Sequence, residues 1–172
     1  YLKQLALCID FEAYYLRFVE GRGLVDDLMG ADKEKERALV ALVYPEARAR
    51  IDRVVGAVKH YITLREVDGK TLALFDLNKL ASLGDFPPFG KIAGAVSDWL
   101  KEKHARLYVL ASSSEMLVLR VSKTEMLFNL NTVVAELQRQ KPHACVTGGG
   151  HERAGTIKFV AAARDEIVEF VV

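Results

Sequence analysis

The apolar positions change their period along this chain and divide it near residue 60. Residues 2–19 carry Leu5, Leu7, Ile9, Phe11, Tyr14, Tyr15, Leu16, Phe18 and Val19, a dense set that predicts a short strand followed by a helix. Gly21-Arg22-Gly23 and Gly30-Ala31-Asp32 read as breaks, with Asp32 placed to cap a helix over about 33–43. Pro45 then suits the first turn of another helix, where its missing N–H costs nothing. Ala47, Ile51, Val54, Val55, Val58 and Tyr61 recur at helical spacing, while Glu46, Arg48, Arg50, Asp52, Arg53 and Lys59 fill the other face. That pattern predicts an amphipathic connector helix.

Beyond it the period shortens. Residues 61–67 and 71–77 are extended runs joined at Asp68-Gly69, a dipeptide that favours a tight hairpin turn. Phe86-Pro87-Pro88-Phe89-Gly90 breaks the chain, and from Lys91 the set Ile92, Ala93, Val96, Trp99 and Leu100 returns to helical spacing. Residues 106–111 and 115–121 are again β-rich, 124–139 reads as a helix through Leu127, Leu130, Val133, Val134 and Leu137, and 155–162 reads as a closing strand. The order is ββαββαβ with a final helix in 164–170. It predicts an α+β fold: a mixed β-sheet with helices packed on it over residues 61–172, preceded by a helical segment and connector over residues 1–60. Hairpin connections make neighbouring strands antiparallel.

Composition narrows the class. An apolar fraction of 51% in 172 residues supplies a substantial core. Every long apolar stretch is interrupted by charge or Gly far short of the ~20 residues needed to cross a bilayer, so no membrane association is expected. The chain opens on Tyr1 and reads as a piece of a longer protein. Cys8 and Cys145 lie far apart in unlike contexts, which fits a reducing, cytoplasmic compartment. A net charge of +1 gives no global basic field, so any affinity for nucleic acid must come from a local patch.

The chemistry-bearing stretch is Thr147-Gly148-Gly149-Gly150-His151, followed by Ala154-Gly155. Each glycine in regular structure costs roughly 0.5–1 kcal/mol relative to Ala, so three in a row mark positive φ or a close approach to the backbone. A turn of successive N–H groups can cradle a phosphate, and His151 beside it can donate to a phosphate oxygen or a base. The plain alternative is a sharp turn with an ordinary surface histidine. Lys91, Arg120, Lys123, His151, Arg153 and Lys158 would form a basic patch if their strands are adjacent, and Phe86, Phe89 and Tyr108 are candidates to stack on bases. Ser112-Ser113-Ser114 reads as a hairpin turn, Trp99 as core, and Cys145 as a buried filler.

Gly148-Gly149-Gly150-His151 with Ala154-Gly155 resembles the GGGHxxAxG signature of the DHH-associated domain of RecJ-like phosphoesterases. The spacing departs slightly, since that signature often places one more residue between the Ala and the Gly. Leu119-Arg120-Val121-Ser122, ahead of the 124–139 helix, resembles the Ser-x-Arg-Ser strand of the same domain, with Leu119 in place of the first Ser. The resemblance implies that Arg120, Ser122, Gly148, Gly149, Gly150 and His151 bind substrate phosphate or base, and that the partner is single-stranded DNA or RNA. It implies further that the parent is a metal-dependent exonuclease whose Mn or Mg lies in a catalytic half. This chain has no Asp-His-His triplet, and His60, His104, His143 and His151 are widely spaced. Neither a catalytic residue nor a metal or other cofactor is therefore assigned to it, since a two-metal centre needs a cluster of hard ligands. Two rival readings stand beside the strand binder. One is an inactive RecJ-like scaffold of the archaeal replication helicase complex, docking GINS and MCM. The other is a domain specific for mononucleotides or dinucleotides.

Overall fold

The computed structural model describes residues 1–16, 23–80, 85–122 and 128–172. The chain forms two compact units, one of Tyr1–Val54 with Gly84–Pro87 and one of Val55–Leu83 with Pro88–Val172.

The first unit is helical: α1 (Leu2–Leu16), the short α2 (Val25–Leu28) and most of α3 (Lys33–Val58). The expected strand at the start of 2–19 is absent. The apolar set there is dense enough to serve either period, and packing selects the helix, burying Cys8 against Leu28, Val40 and Val43. Phe18 and Val19 lie outside the described residues. Asp32 caps α3 as expected, its Oδ1 accepting from the N–H groups of Glu34 and Lys35 at 3.1 and 3.0 Å. The helix then runs through Pro45 without a new start. Pro45 is exposed, so the carbonyl its ring leaves without an intrahelical donor can be hydrated, and the cost of an interior proline is borne locally. Phe86 is 2% exposed and edge-on to Phe11 and Tyr14, which removes it as a base-stacking candidate.

The second unit carries a six-stranded mixed sheet, order β1-β2-β3-β4-β6-β5. Its strands are β1 (Thr63–Val67), β2 (Lys70–Asp76), β3 (Leu107–Ser112), β4 (Met116–Val121), β5 (Thr147–His151) and β6 (Ala154–Lys158). The Asp68-Gly69 hairpin forms as expected, with φ of 50° and 69°, both left-handed. β2 and β3, by contrast, run parallel, because α4 (Phe89–Leu100) is a crossover that returns the chain to the same end. Ile92, Ala93, Val96 and Leu100 bury its inner face, and half-buried Trp99 lies under the Lys59 ammonium. The opposite face of the sheet is covered by α5 (Leu130–Gln140) and α6 (Arg164–Val171). There Leu110, Leu117, Leu119 and Ile157 pack with Leu130, Leu137 and Ile167. Of the expected 124–139 helix, residues 124–127 lie outside the described residues, and α5 begins only at Leu130, behind the extended Asn129 cap.

Two further expectations are corrected here. The glycine run is a strand paired with β6, not a loop, which makes the closing element a hairpin rather than a single strand over 155–162. Cys145 is exposed, with φ of 49° in the left-handed region. It ends the turn after α5, and only its neighbours Ala144 and Val146 enter the core. Among the described residues no helix is long and apolar enough to cross a membrane.

Candidate functional site

Antiparallel pairing sets residues opposite one another on the same face of a sheet. The pairs Arg120↔Ala154 and Ala154↔His151 therefore place Arg120, Ala154 and His151 in one row across β4, β6 and β5. Two strand spacings separate the Arg and His backbones by about 10 Å. Among the described residues the register places only Ala154 between them, and this three-strand row is the candidate trough. Arg120 is identified with the α4 side of the sheet by its contacts.

The guanidinium is already engaged. Nη2 donates to the Gly90 carbonyl at 2.9 Å and Nη1 to the Leu119 carbonyl at 2.7 Å, leaving some of its five N–H donors for a ligand. Gly90 and Gly94 lie one turn apart on α4, and a Cβ at either would sit 3.3 or 4.0 Å from the guanidinium. Burial lowers the pKa of Arg120, yet an arginine starts so high that it stays charged. The arrangement is a preset cation on a bed of small residues. The sequence carried a signal for it, two glycines at i and i+4 of one helix, which motif reading alone passes over.

The three glycines have φ of 142°, 140° and 149°, a region essentially closed to other residues. A Cβ on Gly148 would lie 2.1 Å from the Thr156 carbonyl oxygen, and one on Gly150 2.5 Å from that of Ala154. Gly155 is equally confined, 2.3 Å from the Gly149 oxygen and 2.4 Å from Leu130. Close contact with β6 and α5 therefore requires glycine here before any ligand is considered. The expected turn-shaped phosphate nest gives way to an extended edge strand that exposes bare backbone. Asn131, on the first turn of α5, donates from Nδ2 to the Gly150 carbonyl at 3.2 Å, and the Leu130 N–H donates to the Glu152 carbonyl at 2.7 Å. Asn131 is a site residue that sequence reading missed, since one polar position in a helix says nothing of what it faces.

Ser122 stands apart from the trough. Its Oγ accepts from the Leu107 N–H at 3.2 Å, and its own N–H donates to the Leu107 carbonyl at 2.8 Å, so it ties β4 to β3. His151 is exposed and, at the sheet edge, shares an open pocket with Asn131 of α5, Gly150 and Arg153, a pocket whose lining does not include Arg120. Of the expected basic patch, Arg153 adjoins the row and Lys158 lies four residues along β6 from Ala154, roughly 13 Å away at the rise of a strand. Lys123 falls outside the described residues. Among the described residues no three His, Cys, Asp or Glu side chains gather as a metal site.

A six-stranded mixed sheet with this helix order, preceded by a helical unit, defines an α+β domain of the DHH type. No protein-family model matches the chain. An uncharacterized protein of Methanocaldococcus jannaschii is 34% identical over 98% of this chain, which spans 23% of that protein's length. A solved structure described as a member of the s1p family of ribosomal proteins with a DHH domain is 32% identical, with a TM-score of 0.89 over 98% of this chain and 40% of that one. RecJ of Thermus thermophilus in complex with Mn²⁺ shares the fold at a TM-score of 0.58 and 15% identity, over 97% of this chain and 23% of that one. The chain is thus related to DHH-superfamily proteins, and it spans less than half the length of these relatives.

Proposed function

We propose that the second unit binds single-stranded nucleic acid, or the phosphate of a nucleotide, in the trough between Arg120 and His151, as the C-terminal half of a RecJ-like phosphoesterase. The row Arg120–Ala154–His151 is the observation that carries this reading. A half-buried, prepositioned guanidinium holds a phosphate, the glycine strand lets the sugar-phosphate chain approach its backbone, and His151 orients the terminal nucleotide. Arg120, Gly149, Gly150 and His151 form the contact set, Gly148 packs the glycine strand against β6, and Ser122 lies outside it. On this reading hydrolysis belongs to a metal-bearing part of the parent protein beyond this chain. The s1p description of one relative makes RNA as reasonable a probe as DNA.

Fluorescent single-stranded DNA and RNA titrated across a salt series test the proposal. The expected result is saturable binding that weakens with salt and falls roughly 10- to 100-fold in Arg120→Ala and His151→Ala, as for a lost hydrogen bond to a charged group. Because Arg120 also ties β4 to α4, the Arg120→Lys variant and a circular dichroism spectrum accompany it. Undiminished binding in folded variants would sink the reading.

One observation favours a second reading, protein docking through the helical unit. Leu2, Met29 and Leu42 are 78%, 69% and 72% exposed there, apolar surface that a partner such as GINS or MCM would cover. Pull-down by either partner, lost on Leu42→Glu, would support it, and no nucleic-acid affinity at low salt would make it the leading one.

A further inference from the structure

A second recess in the sheet-bearing unit lies far along the sheet from the glycine strand, beside β1 and β2. Tyr61, Arg65, Lys79 and Asp76 line it, over an apolar floor that includes Leu74, Leu117 and Val168. Asp76 closes β2 and Ser112 closes β3, so the recess opens at the carboxyl ends of the two parallel strands, where ligands of parallel α/β units collect. The Tyr61 hydroxyl oxygen is buried and has no partner among the described residues. A buried hydroxyl without a partner is costly, which makes it an anomaly that a ligand would resolve. Lys79 lies over the Tyr61 ring, 5.9 Å from its centroid, and neither Lys79 nor Arg65 has a carboxylate partner among the described residues. Arg164 is committed elsewhere, to Asp76 at 3.0 Å, to the Ser112 hydroxyl at 3.1 Å and to the Ser113 carbonyl at 3.0 Å.

From these groups we infer that the recess binds a small phosphorylated ligand of the nucleoside monophosphate class. Arg65 and Lys79 supply cations for a phosphate. The phenol of Tyr61, kept protonated by burial and by the neighbouring Asp76 charge, donates a hydrogen bond. The Asp76 carboxylate accepts from sugar hydroxyls, and the aliphatic floor receives a base. At about 260 Å³ the recess sits just below the usual range of small-molecule pockets, roughly 300–1,000 Å³. It fits one nucleotide rather than a strand, and it is independent of the trough.

Calorimetric titration of adenosine 5′-monophosphate, adenosine and inorganic phosphate into the 172-residue chain tests the assignment. The monophosphate should bind saturably and more tightly than either of its parts. Tyr61→Phe and Lys79→Ala should each weaken the recess component by roughly tenfold, and that component should be retained in the Arg120→Ala/His151→Ala double variant, which removes any monophosphate bound in the trough. Tyr61→Phe removes only an unpartnered hydroxyl, so its melting temperature should equal or exceed that of the parent and folding does not confound the result. Absence of binding, or binding indifferent to Tyr61→Phe and Lys79→Ala, overturns the inference. Loss in the double variant alone would place the nucleotide in the trough, overturning this site while supporting the other. Strand binding that fails while the monophosphate site persists would do the reverse.

Discussion

Gly69 and Gly150 show how two glycines with positive φ answer to different constraints. A Cβ on Gly69 meets nothing within 4 Å, so only its φ of 69° restricts the position, and Gly69→Asn should be nearly neutral. At Gly150 the same Cβ would meet a backbone oxygen at 2.5 Å in a region of φ that side chains avoid. Gly150→Ala should therefore destabilise by more than about 1 kcal/mol, read from the midpoint of urea denaturation. Arg120 is constrained in the same spirit. Its two carbonyl bonds fix the guanidinium before a ligand arrives, so Arg120→Lys should lose most of the affinity although it keeps the charge, because an ammonium lacks the planar fork.

Among the elements, α3 and α6 carry the sharpest expectations. Pro45 interrupts the hydrogen-bond ladder of a 26-residue helix at an exposed position. Pro45→Ala should raise stability, by up to about 3 kcal/mol if nothing compensates the lost bond, measured as a shift in melting temperature. At α6, Glu166 receives Lys141 and the His143 Nε2, the latter at 2.8 Å. Both bonds hold its carboxyl below the ordinary range. A depressed folded value means the contribution is fully present above the unfolded pKa, about 4.3, and disappears as pH falls through the folded value. The stability gap between the parent and Glu166→Gln should accordingly shrink on acidification from pH 6 to pH 3, followed by denaturation at each pH. The hairpin of β5 and β6 depends on α5 in a comparable way, through Asn131 and the Leu130 N–H.

For the molecule as a whole, a net charge of +1 gives no long-range attraction to a polyanion. Affinity must then come from a few placed cations, and salt dependence counts them. Each phosphate contact removed should flatten the log–log salt slope by about 0.7 for single strands. Arg120→Ala should show that decrement in a fluorescence titration, and Arg65→Ala should not. The two recesses would be separated by this one measurement.

Much of this organisation is written in local periodicity. The helices of α3, α4 and α6, the Asp68-Gly69 hairpin and the strands flanking Ser113 follow from side-chain spacing and turn chemistry, which act over a few residues. So does the α+β class, and the three consecutive glycines mark the Gly148–His151 stretch by themselves, whereas Arg120 was singled out by the resemblance to the DHH-associated domain. The first helix was ambiguous because a dense apolar run satisfies both periods, and Pro45 misled because a proline tolerated at a helix start is also tolerated where its environment is wet. What the sequence could not decide is everything set by pairing between distant segments: the parallel alignment of β2 and β3, the glycine run as an edge strand, and the row joining Arg120, Ala154 and His151. The β2–β3 and β4–β6 pairings join residues more than 30 positions apart in the chain, where tertiary contacts choose the partner, and the β5–β6 hairpin takes its place at the sheet edge only because β6 pairs with β4.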